Sequence, residues 1–315
     1  MRTFLLLAAA IIGISASPPA GYHLIAGQVT PNKGPDGNSV FLDTADGMIL
    51  IDTGRHPAHR DKLLAYAKER GRPIVAIFNT HWHLDHTTGN AEIRATFPGA
   101  PVYATSAIEG ALTGFFPNSR KGAEDFLKSG KASPEQRAEI ERGFYVMDHP
   151  DTLRPTAVID RSQRMRIGGR TLHVHVARFA ATEADLWLYD RQERLAIVGD
   201  LVVGPIPFMD TACPDGWRKA LEEIDEVPFR TLVPGHGAPM TRAEFLRWKQ
   251  AFGNFVDCGR SAKPVAECVG GWEKDAGFFI GEAQREYVRE LASYYIATRL
   301  RSSPADQQQY CKPLK

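Results

Sequence analysis

Between residues 22 and 54, short apolar runs are separated by clusters of polar turn residues, a pattern of strands rather than of helices. Strands are expected at 24–29, 39–44 and 48–52. The turns between them are Lys33-Gly34-Pro35-Asp36-Gly37 and Ala45-Asp46-Gly47, rich in residues that tolerate tight backbone angles. This meander would form one edge of a first sheet. The period then changes. Over residues 58–70, Leu63, Leu64 and Ala67 recur at helical spacing until Gly71 stops the run. His56 and His59 at its start read as solvent-exposed. Residues 74–78 are apolar and β-branched, a buried strand. A helix at 88–97, ended by Pro98-Gly99, and a strand at 101–103 complete a β-α-β order, that of a parallel α/β sheet.

Residues 107–150 break this pattern. Gly114-Phe115-Phe116-Pro117 is apolar, and Ser133-Pro134-Glu135-Gln136 is a helix start with serine as N-cap. The segment reads as an insertion over the edge where strand 74–78 ends, with Phe115 and Phe116 as a lid. Strands resume at 158–160, 165–167, 171–176, 185–189, 195–198 and 231–233, with a helix at 216–224. His173 and His175 share one face of their strand and read as a half-polar edge. A C-terminal helical extension covers 241–315. Its first helix, 241–256, has the capping box Thr241-x-x-Glu244 and a stripe of Phe245, Trp248, Phe252 and Phe255. Its last, 282–300, should turn Tyr287, Leu291, Tyr294 and Tyr295 inward.

Composition adds a compartment. Met1-Arg2, an apolar run over 4–14 and Ser15-Ala16-Ser17 form a secretory signal peptide over residues 1–16, too short to span a bilayer. Residues 17–315 then form a single domain, periplasmic or extracellular, with no stable membrane association. The whole chain has 38 basic and 37 acidic side chains, and Arg2 leaves with the leader. A neutral chain gives no electrostatic reason for nucleic acid as a partner; a small-molecule substrate fits better. Oligomeric state is not legible. The four cysteines, Cys213, Cys258, Cys268 and Cys311, suggest two disulfides in an exported protein. Three pairings exist. Cys258–Cys268 closes a short loop and is favoured, leaving Cys213–Cys311; Cys213 as a metal ligand is the alternative.

The chemistry lies at His81-Trp82-His83-Leu84-Asp85-His86, three histidines and a carboxylate at the C-terminal end of a buried strand, where open α/β sheets place their sites. In extended backbone, His81 and His83 face one way and can share a metal ion, while Asp85 and His86 curl toward another. Imidazole and carboxylate suit zinc, with iron or manganese also served. This His-x-His-x-Asp-His run resembles the signature of the metallo-β-lactamase fold. Ile51-Asp52-Thr53-Gly54, Val198-Gly199-Asp200 and Pro234-Gly235-His236-Gly237 agree in order and separation. The resemblance covers roughly residues 22–240. It implies an α/β fold, a four-layer αβ/βα sandwich, with a one- or two-metal hydrolytic site along one edge. By the same resemblance the metal residues are His81, His83, Asp85, His86, Asp200 and His236, with Asp52 bracing them.

One histidine of the family pattern is absent. It precedes a Thr-x-Gly-Asp segment, and by register Ala181 holds its place in Ala180-Ala181-Thr182-Glu183-Ala184-Asp185. The first position then keeps only His81 and His83, unless Glu183, His173 or His175 substitutes. The second keeps Asp85, His86 and His236, with Asp200 in the usual bridging place. One tightly bound zinc ion is therefore expected, and a second that is weak or absent. The resemblance implies a hydrolase in which metal-bound hydroxide attacks an ester, lactone, thioester or amide carbonyl, with Asp85 as the catalytic carboxylate. The alternatives are a β-lactamase of the third subclass type and a non-catalytic descendant that binds a metal or ligand. A nuclease of the same fold fits poorly with neutral charge and export.

Overall fold

The computed structural model describes residues 21–30 and 33–312. The signal peptide expected at 1–16 lies outside the described residues. Two six-stranded mixed sheets face each other. The first has the order β1 (Tyr22–Ile25), β4 (Ser39–Asp43), β5 (Met48–Ile51), β6 (Ile74–Phe78), β7 (Val102–Ala104) and β8 (Ala157–Val158). The second has the order β14 (Met240–Thr241), β13 (Thr231–Val233), β12 (Leu195–Ile197), β11 (Ala184–Asp190), β10 (Arg170–Arg178) and β9 (Gln163–Ile167). Helices α1 (Pro57–Arg70) and α3 (Asn90–Thr96) cover the outer face of the first sheet. Helices α7 (Pro214–Glu226), α8 (Arg242–Arg260), α9 (Val265–Asp275) and α10 (Arg285–Tyr295) cover the second. This is the expected four-layer sandwich.

The side-chain period explains the layers. On β11, Leu186 and Leu188 meet Val40, Ile49 and Phe78 between the sheets, while Trp187 and Tyr189 point into the outer helices. A strand buried on both faces reads as continuously apolar. On α8, Phe245, Trp248, Phe252 and Phe255 are buried as expected. Both disulfides have the favoured pairing, Cys213–Cys311 and Cys258–Cys268, so Cys213 is not a metal ligand.

Several expectations are corrected. The strand at 24–29 breaks, because the Gly27 N–H is taken by the Asn38 side chain at 3.0 Å. Val29–Thr30 (β2) pairs instead with Gly34–Pro35 (β3). The 158–160 segment joins the first sheet, as β8. The helix expected at 88–97 is the shorter α3, preceded by a separate turn of helix over the motif itself, α2 (Leu84–Thr87). On α10 the buried side is Val288, Ala292 and Tyr295, while Tyr287 and Tyr294 are 49% and 47% exposed. Tyr295 is inward as expected and Leu291 packs partly against the same core, whereas Tyr287 and Tyr294 turn outward. A π turn at Ile296–Leu300 and the short α11 (Pro304–Gln307) follow. His59 is buried against Ser39 (2.8 Å), and His56 is ion-paired to Asp36 and Glu139, so neither is solvent-exposed.

The insertion forms α4 (Ala107–Thr113), α5 (Phe115–Lys128) and α6 (Pro134–Asp148), with the expected capping box at Ser133. It packs on Trp82 through Ile108, Ala111 and Phe116. Phe116 is therefore core, and of the two phenylalanines only Phe115 remains beside the site. Among the described residues, no helix is long and apolar enough to cross a membrane.

Candidate metal centre

The site forms where both sheets end. Asp52 follows β5 in a left-handed conformation (φ 59°). Its carboxylate accepts from Thr80 N at 2.8 Å, Thr80 Oγ1 at 2.7 Å and His86 Nδ1 at 2.7 Å. Asp52 thus braces the loop after β6, as expected, and is not itself a ligand. Space is set by missing side chains: a Cβ on Gly37 would stand 2.3 Å from the His86 ring, and one on Gly235 would stand 1.9 Å from Asp200 Oδ1.

The six expected residues converge as two donor groups, His81 with His83 and Asp200, and Asp85 with His86 and His236. In the first, His81 Nε2 lies 2.9 Å from His83 Nδ1 and 3.6 Å from Asp200 Oδ2. In the second, His236 Nε2 lies 3.0 Å from Asp85 Oδ2 and 3.3 Å from His86 Nε2. Asp200 Oδ1 reaches that group too, 3.2 Å from His86 Nε2. Asp200 therefore stands between the groups with one oxygen toward each. This corrects the ligand count at the first position: it keeps two histidines and a shared carboxylate. None of the three substitutes belongs to either group. Glu183 accepts from Trp82 Nε1 at 2.9 Å, His175 stacks on Trp187, and His173 lies beside Tyr189.

The residues fit a cation. Thr80 Oγ1 gives its proton to Asp52, so it accepts from His81 Nδ1 and leaves the His81 Nε2 lone pair free. His86 donates from Nδ1 to Asp52, so the nitrogen turned inward, and the one that would offer a lone pair to a cation in exchange for its proton, is Nε2. Asp200 Oδ1 is buried without a well-aimed hydrogen bond. Buried lone pairs turned on one another are costly unless a shared positive charge joins them.

Electrostatics separates the groups. Burial, reinforced by the neighbouring His86, drives His81 well below its ordinary pKa, and burial takes His83 down to about 4. Burial also acts on His86 and His236, but the carboxylates outweigh it and hold both above the usual histidine value. The reciprocal effect overcomes burial at Asp85 and Asp200 and keeps both well below the carboxylate range. A divalent cation bound there would displace the protons from the second group.

The loop after β12 that carries Asp200 is held by the C-terminal extension and α7. Trp217, Trp248 and Trp272 donate their indole N–H groups to the carbonyls of Leu201, Val203 and Pro205. Arg299 donates to the carbonyl of Met209 at 3.0 Å. The aromatic stripes look like packing in sequence, and their spacing carries no sign of this second role. Phe208 and Thr211, which sequence reasoning missed, border His83: the Phe208 ring centroid is 5.2 Å from the His83 ring, and Phe115 from the insertion lies 6.5 Å away.

The profile of the metallo-beta-lactamase superfamily matches residues 33–236, most of the chain. The chain belongs to the metallo-beta-lactamase superfamily. Within the superfamily it is 26% identical over 226 residues to a linear primary-alkylsulfatase of Pseudomonas sp., an alignment covering 65% of this chain and 42% of that protein. It is 34% identical over 109 residues to a hydroxyacylglutathione hydrolase of Acaryochloris marina, covering 32% of this chain and 38% of that protein. A persulfide dioxygenase of Mus musculus is 33% identical over 90 residues, covering 29% and 33% of the two chains. The chain thus spans less than half the length of these relatives. Among solved structures, a metallo-beta-lactamase family protein of Thermus thermophilus matches with a TM-score of 0.59 at 18% identity, covering 86% of this chain and 94% of that one. That likeness concerns the fold. Superfamily members are mostly hydrolases that bind metals, usually zinc, and act on small molecules.

Proposed function

We propose that this protein is an exported, metal-dependent hydrolase, with zinc as the leading metal, acting on an ester, lactone, thioester or amide. The observation that carries the reading is Asp200, buried between two donor groups with one oxygen toward each. A site retired from chemistry has no need to keep both Asp85 and Asp200 in that arrangement. When bound, a divalent cation supplies Lewis acidity toward a carbonyl oxygen and lowers the pKa of a water. Asp85, ionised and 3.0 Å from His236 Nε2, orients the attacking water and takes its proton. Phe115 and Phe208, partly buried beside His83 and with Phe115 backed by the buried Trp82, make an apolar wall that excludes water and receives the carbon chain of the substrate.

The relatives are named for a hydroxyacylglutathione and for a primary alkyl sulfate, which favours the thioester in this set and adds a sulfate ester to the substrates worth testing. Export rests on the leader at 1–16 and on two disulfides, which suit an oxidising compartment. The test is purified mature protein with counted metal, offered lactones, thioesters, aryl esters, an alkyl sulfate and β-lactams. Turnover of a carbonyl substrate that is lost on chelation and in Asp85→Asn supports the proposal. A metal-loaded protein that hydrolyses none of them overturns it. A preference for β-lactams would favour the lactamase reading.

A further inference from the structure

Ala181 raises a question of orientation as well as of ligand number. An imidazole ligates well only when its other nitrogen is held by a partner that fixes tautomer and tilt. His83 has such a partner. Its Nε2 lies 3.0 Å from Thr211 Oγ1, and that hydroxyl donates to the backbone carbonyl of Ala181 at 2.9 Å. The hydroxyl has one proton and has spent it on Ala181, so toward His83 it can only accept. His83 must then carry its proton on Nε2 and present Nδ1 as a lone pair, toward His81 Nε2 at 2.9 Å. Thr211 is completely buried, so water does not compete for this geometry.

We propose that Thr211 is a positioning residue for the first metal position. It stands against the backbone of Ala181, where by register the family carries another imidazole, and it fixes His83 with Nδ1 free. The position is thereby a two-histidine, one-carboxylate site of His81, His83 and Asp200. Thr211 is itself held from several sides. Cys213 N donates to the Ala180 carbonyl at 2.9 Å, Arg299 donates to the Met209 carbonyl, and Cys213 is bonded to Cys311. The C-terminal extension so reaches the ring of His83 through a segment of a few residues.

The inference rests on reading the site as a metal centre, and the experiment separates the two. Nitrogen-15 spectra of the metal-free protein report each imidazole tautomer directly. His83 protonated on Nε2 is the expected result; protonation on Nδ1 overturns the proposal. Zinc titration of Thr211→Val followed by native mass spectrometry should then show first-position affinity about 10–100-fold lower. The Asp85, His86 and His236 position should be unchanged, and Thr211→Ser should restore the first. An unchanged first-position affinity in a folded Thr211→Val protein overturns the proposal, and if that variant does not fold, the spectrum decides. A protein with Nε2-protonated His83 that binds no zinc would sink the metal-centre reading and leave the hold of Thr211 on His83 standing.

Discussion

His81 and His86 have ring centroids 4.3 Å apart, yet the protein drives one toward the neutral form and holds the other toward the charged form. The difference is not burial, since both are fully buried. It lies in what faces each ring. His81 has a threonine hydroxyl on one nitrogen and a neighbouring imidazole on the other. His86 has Asp52 on one side and both Asp85 and Asp200 on the other. Two groups of the same residue types thus offer a cation different surroundings. The second concentrates carboxylates, while the first has mostly neutral nitrogens and a share in Asp200.

The largest effects should come from the ligands. His236→Ala should abolish tight metal binding, while His81→Ala should leave the tight ion in place, both read by native mass spectrometry after dialysis. Equal losses in the two variants would erase the distinction between the groups. Ala181→His should raise the stoichiometry toward two.

Next is the insertion, which lies on the His83 side. Phe116→Ser should cost about 3–5 kcal/mol, the range for deleting a buried aromatic side chain. Phe115→Ser should leave the melting temperature nearly unchanged and shift KM or substrate range. A stability loss in Phe115→Ser with unchanged kinetics would make that ring core as well.

Reduction of the disulfides should cost roughly 2–4 kcal/mol per bridge. Because Cys213–Cys311 holds the segment containing Thr211, reduction should loosen the first metal position before the second. Chelator competition under mild reduction tests the order, and loss of the second position first would contradict it.

The smallest effect concerns the flank of the second group. His56 faces Asp36 at 2.9 Å and Glu139 at 3.4 Å, with Arg55 on the other Glu139 oxygen at 2.6 Å. The Asp36 and Glu139 carboxylates, working against burial, raise His56 to about 9. Burial opposes, but the His56 and Arg55 cations lower Glu139 to about 2. A raised histidine contributes stability below its unfolded value of 6.5, lost as pH climbs to about 9. A lowered glutamate contributes above 4.5, lost as pH falls to about 2. The cluster ties α6 to the segment whose Gly37 N–H donates to the Asp85 carbonyl. The protection of α6 against hydrogen exchange, taken relative to the intrinsic base-catalysed rate, should therefore fall between pH 6.5 and 9, by on the order of 1 kcal/mol after solvent screening, and not in His56→Ala. Protection of α6 that stays constant over this range in the unaltered protein would contradict this.

The fold was legible because its signals are local. The meander, the apolar strand 74–78 and the capped helix at Thr241 each follow from period and turn chemistry. The donor residues were legible because the motif compresses four of them into six positions. What escaped is long-range. The resemblance put Asp200 in the bridging place, but that its carboxylate completes the first group shows only where the two sheets end side by side. Thr211 lies 128 positions from His83, in a segment with no motif. The indoles of Trp217, Trp248 and Trp272 bury like any core aromatic, and their N–H partners show only in the folded chain. On α10 the spacing correctly turns Tyr295 inward but misplaces Tyr287 and Tyr294, because the buried stripe runs through Val288, Ala292 and Tyr295.

The central claim is that the two donor groups are unequal, and zinc titration of the metal-free protein under native mass spectrometry tests it most directly. The account predicts two steps: one ion held through dialysis, and a second entering only at zinc concentrations about 10–100-fold higher. Two ions bound with equal tightness, or none, would contradict it.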